Sequence, residues 1–123
     1  MVEQGKPTRG SYIQGFVVPV PEANKEAYRK MAEEVWDSFA THGALRVVEA
    51  WQDDVPQGKQ TDFFRTVKAE GDERIVFAFV EWPSREVCDT AAEQMQSAAP
   101  EIIPFDGTRM IFGGFQPVVT LGD

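Results

Sequence analysis

The run Ile75-Val76-Phe77-Ala78-Phe79-Val80-Glu81-Trp82 has no wet side. Side chains alternate across a strand. Val76, Ala78, Val80 and Trp82 therefore face one way, and Ile75, Phe77 and Phe79 the other, with Glu81 closing the second row. An antiparallel sheet with one solvated face shows apolar and polar residues in alternation. This strand needs cover on both faces. Helices of the same chain can supply one cover. The simplest second cover is the same face of another copy, related by a two-fold axis.

The rest of the chain supplies the helices. Tyr12 to Val20 is rich in aromatic and β-branched residues and stops at Pro19 and Pro21, as a strand does. Asn24 is placed to cap the helix that follows. Tyr28, Met31, Ala32, Val35, Trp36 and Phe39 then recur at the helical period, and Gly43 ends the run. Leu45 to Trp51 reads as a second strand, and Asp53 to Lys59 as a turn-rich loop. Residues 62–68 fit either a short helix capped by Asp62 or a strand. Arg74 to Trp82 is the third strand. Ser84 caps a second helix with Val87, Cys88, Ala91, Ala92 and Met95 on one stripe. A loop spans 100–109, and Met110 to Val119 is the last strand.

The order is βαβ followed by βαβ. Two split βαβ units make an α+β, ferredoxin-like sandwich: a four-stranded antiparallel sheet with two helices on one face. Pairing of two such sheets gives a dimeric α/β barrel. Residues 1–11 read as a flexible tail and 12–123 as one domain.

Charge narrows the partners. Twelve Lys and Arg against twenty Asp and Glu leave a net charge of −8. Binding to phosphate backbones or anionic membranes calls for a basic face, so neither nucleic acid nor a membrane is expected as a partner. No apolar run approaches the ~20 residues of a membrane-spanning helix. The single cysteine, Cys88, fits a reducing cytoplasm and reads as a buried, inert thiol.

Several residues carry potential chemistry. Glu49 lies between Val47 and Trp51 on one side of its strand, and Glu81 follows an apolar row on its own. A carboxylate among apolar neighbours needs a partner. Either these acids line a cavity with acid–base capacity, or they pair with cations such as Arg46 or Arg109. His42, the only histidine, falls at the end of the first long helix, as a capping residue or a base. Asp53-Asp54 has no third acid nearby and reads as a turn, so no metal is expected. Gly113-Gly114 inside a strand marks a bulge or a close approach to the backbone, by a ligand or another subunit. Trp51 and Trp82 end two strands as pocket walls or core.

The strings Gly43-Ala44-Leu45-Arg46-Val47-Val48-Glu49, Ala78-Phe79-Val80-Glu81-Trp82-Pro83-Ser84 and Pro104-Phe105-Asp106-Gly107-Thr108-Arg109-Met110-Ile111-Phe112-Gly113-Gly114-Phe115 resemble the YbaA-like family of small bacterial proteins. The likeness runs over about residues 11–119. It implies a dimeric α/β barrel and no particular activity or cofactor. The chain departs from the family between Met95 and Pro104, where it is shorter. The resulting expectation is a homodimeric small-molecule-binding protein. Its pocket would lie between sheet and helices, with Arg46, Glu49, Trp51, Glu81, Trp82 and Arg109 around it. The alternatives are a cofactor-independent monooxygenase using Glu81 or His42 as base, and an interaction protein with no pocket.

Overall fold

The computed structural model describes residues 2–5, 12–95 and 103–121. Five strands form one antiparallel sheet: β1 (Val2–Gly5), β2 (Tyr12–Pro21), β3 (Arg46–Trp51), β4 (Glu73–Trp82) and β5 (Ile111–Phe115). Their order is β1-β3-β4-β2-β5. Between them run α1 (Lys25–Thr41), the single-turn α2 (Phe63–Thr66) and α3 (Arg85–Met95). Without β1, the order β3-β4-β2-β5 is the split βαβ arrangement expected from sequence.

Two expectations about the strands' extent need correction. The first concerns part of the tail. Residues 2–5 form a strand along the outer edge of β3, in register Val2↔Glu49 to Gly5↔Arg46. Val2 is buried, which anchors it. A four-residue strand with one core side chain leaves almost no periodic signal, so it was not legible. The second concerns the last strand, which is five residues long and ends at Phe115 rather than at Val119. The open choice at 62–68 resolves as helix, because the Asp62 carboxylate accepts from the Arg65 amide and fixes the first turn. The shortened segment after Met95 lies largely outside the described residues.

The core is built from the even-numbered residues of β4. Val76, Ala78, Val80 and Trp82 are almost fully buried under the helices. Val18, Val20 and Tyr28 join Val76 and Ala78, while Val47, Cys88 and Ala91 join Val80 and Trp82. The Trp82 ring meets Phe39 edge-on at 6.0 Å. α1 stops where expected, with Gly43 at φ +103, a conformation that side chains resist. Asn24 sits at the N-cap position but does not cap: its Nδ2 donates to the carbonyl of Pro104 at 2.9 Å. Among the described residues no helix is long and apolar enough to cross a membrane.

The opposite face of the sheet is open. Phe77 is 50% exposed and Phe115 60% exposed there. Ile13, Val17, Phe77, Phe79, Ile111 and Phe115 line a groove of about 460 Å³ on this face. Its floor includes Gly15 and Gly113, paired across β2 and β5, with the Phe115 ring lying over both. Gly113-Gly114 is therefore no bulge: the β2–β5 register runs unbroken through it. The close approach that the sequence implied comes from the chain itself, because the Tyr12 hydroxyl occupies the place of a Gly114 side chain.

Candidate functional site

A cavity of about 140 Å³ lies between α1 and the sheet. The elements converge on it for simple reasons. β2 and β4 present Phe16, Val18, Ala78 and Val80 because these residues share the helix-covered face. α1 presents Tyr28, Met31, Ala32, Val35 and Phe39, five of the six members of its apolar stripe. Phe105 and Met110 close one side, arriving from the segment before β5. The Phe105 ring meets Tyr28 edge-on at 5.7 Å.

Among the described residues of this lining, Glu49 is the only charged one. Its register partner is Ala78, so β3 turns it toward the helices, where it is part-buried. The Tyr28 hydroxyl donates to Glu49 Oε1 at 2.7 Å. Burial pushes the Glu49 carboxyl above the usual carboxylate range, and the hydrogen bond from Tyr28 only partly offsets this. Tyr28 is pushed up as well, by burial first and then by the Glu49 charge beside it. The tyrosine proton is thus held firmly between the two groups.

The segment carrying Phe105 is fastened by Arg109. Its guanidinium donates from both Nη atoms to the Glu73 carboxylate, at 2.6 Å each. Nη1 also donates to the carbonyl of Lys68 at 2.8 Å, and Nε to Asp106 at 2.9 Å. Lys68 has φ 52, in the left-handed region. The forked contact with Arg109 holds Glu73 below the usual range. Hydrogen bonds from Thr108, then from Arg109, hold Asp106 at about 2. Asn24 adds the bond to Pro104 already described, so Phe105 is positioned from both sides.

The structure divides the residues that sequence placed in one pocket. Glu49 lines the cavity, with Trp51 beside it on the same face of β3 and Lys25 Nζ 5.3 Å from the Trp51 ring centroid. Trp82 is core. Arg46 and Glu81 are register partners on the open face, with Glu81 Oε1 3.8 Å from Arg46 Nη1. Arg46 also pairs with Glu3 and covers the Phe79 ring. Arg109 fastens a loop and touches neither Glu49 nor Glu81. His42 is the C-cap of α1, and its Nδ1 donates to the Ser38 carbonyl at 2.8 Å. Asp53 and Asp54 are exposed, and no group of three or more metal-ligating side chains exists among the described residues. Tyr28, Phe105 and Glu73 were not singled out from sequence. A signal for the first existed: a tyrosine in an apolar stripe needs a hydrogen-bond partner, and so does a lone acid on an apolar strand face.

These carboxyl groups set opposing pH limits. Glu73 and Asp106 release their protons at lower pH folded than unfolded. The unfolded chain therefore holds more protons below about pH 4.5, and stability falls as pH drops through that window. Glu49 and Glu81 do the reverse, because burial raises both. The folded chain holds their protons above about pH 4.5, so stability falls as pH rises from there. Denaturant unfolding across pH is expected to show a maximum between about pH 4 and 5. Glu49→Gln flattens the upper limb, whereas Glu26→Gln, the same charge change on an exposed side chain, does not. Equal slopes in the two variants would contradict the burial account of Glu49.

Comparison with known proteins places the chain. The family model described as "Protein of unknown function (DUF1428)" matches residues 11–112. The protein YbaA of Escherichia coli K12 is 50% identical over 113 residues, covering 88% of this chain and 97% of its own length. YbaA of Shigella flexneri matches to the same extent. Among solved structures, a mutant of MhuD with two manganese protoporphyrin IX bound per active site superposes with a TM-score of 0.57 at 16% identity, over 91% of this chain and 99% of that one. A dimeric ferredoxin-like protein from an uncultured marine organism gives 0.51 at 14% identity, over 91% and 98%. These likenesses establish the ferredoxin-like α+β fold.

Proposed function

The chain belongs to the DUF1428 family of proteins of unknown function, and from the geometry above we propose that it is a homodimeric small-molecule-binding protein whose ligand sits between α1 and the sheet. One observation carries this reading: an otherwise apolar cavity of about 140 Å³ has the Tyr28–Glu49 hydrogen bond in its wall. Ligand sites combine apolar walls with a few orienting polar groups. A pocketless scaffold offers no reason to hold a carboxylate there. An apolar cavity of ~150 Å³ accommodates a benzene ring. The ligand is accordingly about one ring in size, smaller than the porphyrin carried by MhuD.

The larger groove on the open face is assigned to the partner copy. Its described lining is aliphatic and aromatic residues, two glycines, a proline and Gln116, with no charged group among them to orient a ligand. Val118, Val119 and Leu121 are also exposed just beyond β5. An apolar expanse of this kind on a small domain supports an interface. The dimeric ferredoxin-like neighbour of the same fold supports it too. A reducing, cytoplasmic setting is part of the reading, supported by the single buried thiol of Cys88.

Benzyl alcohol tests the cavity. Titrated into protein with labelled methyl groups, it is expected to shift Met31, Met110 and Ala78, which line the site. Shifts confined to Val17 and Ile111 would place the ligand on the open face and refute the assignment.

A further inference from the structure

We propose that the ligand of this cavity carries a primary ammonium group, seated against Glu49 Oε2 and Tyr28 Oη. The inference rests on the cavity reading and adds the ligand's charge and hydrogen-bonding sense. It follows from counting donors and acceptors. Tyr28 has one hydroxyl proton, and it is already given to Glu49 Oε1. Glu49 Oε2 receives no hydrogen bond from the described residues, and none of their cationic nitrogens lies within 4.0 Å of Glu49. The polar edge of the cavity thus offers acceptors and no free donor. The remaining wall is hydrocarbon, aromatic ring and thioether.

A part-buried carboxylate that accepts one hydrogen bond is only partly compensated. A ligand that brings positive charge and several N–H donors supplies the rest. A neutral alcohol supplies one donor and leaves the charge. A ligand carboxylate would place two anions side by side. The edge-on pair of Tyr28 and Phe105 adds aromatic faces, which attract cations. The net charge of −8 favours approach of a cation over an anion.

Three probes of one shape decide the matter: benzylamine, benzyl alcohol and benzoate, titrated at pH 7 with the Met31 and Met110 methyl signals as readout. Benzylamine is expected to bind at least about tenfold more tightly than benzyl alcohol, a difference of ~1.4 kcal/mol. Benzoate is expected to bind most weakly. Glu49→Gln is expected to bring benzylamine down to the level of the alcohol, and Tyr28→Phe to keep the amine preference. If alcohol and amine bind equally to the wild-type protein, the cavity stands and the charge preference is wrong. If none of the three shifts these methyl groups, the cavity reading falls and the inference with it. The wild-type series decides even if Glu49→Gln fails to fold.

Discussion

Phe77→Glu is expected to turn the proposed dimer into a monomer that keeps its fold. Phe77 stands in the central strand of the sheet, half exposed, on the face without helices. Its ring meets Phe63 edge-on at 6.3 Å, and neither ring belongs to the buried core. A carboxylate there meets water in a single chain. In a pair of chains it is desolvated, and two-fold symmetry brings two such groups into one seam. An unpaired buried charge costs several kcal/mol, so affinity should fall ~10³-fold or more. Sedimentation velocity is then expected to give 13.8 kDa for the variant and twice that for the wild-type protein at equal concentration. Phe77→Ala should weaken association far less. A dimeric Phe77→Glu protein would show that the open face is not the seam.

Trp82→Ala carries the largest expected loss of stability. Trp82 is 1% exposed, packed on Phe39, and joined to Gln14 by its indole N–H at 3.3 Å. Removing a buried tryptophan costs ~3–5 kcal/mol through lost burial and the cavity left behind. Domains of this size have only ~5–15 kcal/mol in total. Urea unfolding is expected to show the midpoint falling steeply, or the chain unfolded without denaturant. Trp82→Phe keeps a ring against Phe39 and loses the bond to Gln14, for ~1 kcal/mol. If Trp82→Ala lay within about 1 kcal/mol of wild type, the second core cluster would not be holding α3 to the sheet.

How far the sequence disclosed this molecule depends on the range of the interaction. The two faces of β4 were legible, because alternation is a local property: Val76, Ala78, Val80 and Trp82 entered the core and Phe77 and Phe79 stayed outside it. The stripe of α1 was legible for the same reason. Register is not local. Nothing within either strand says that Arg46 stands opposite Glu81, or that Glu49 stands opposite Ala78. Without that knowledge, two acids on opposite faces of the sheet were assigned to one pocket. Arg109 was equally ambiguous, since Asp106 is three residues away and Glu73 is thirty-six. The buried partner is the distant one. Asn24 looked like a cap because its neighbours are helical, but its amide reaches a carbonyl eighty residues on.

The two edges of the sheet have a consequence for assembly. Among the described residues one edge is β1, four residues long and carrying Glu3, and the other is β5, five residues long with glycines at its centre. Short, charged or glycine-containing edges are poor templates for adding another chain strand to strand. The wide apolar surface lies across the strands, not along these borders. Growth by edge pairing would give an open ribbon of many copies, whereas face pairing uses up its surface in a single event. On the proposed face pairing, attraction is directed where it closes, and the directions that would propagate are left blunt.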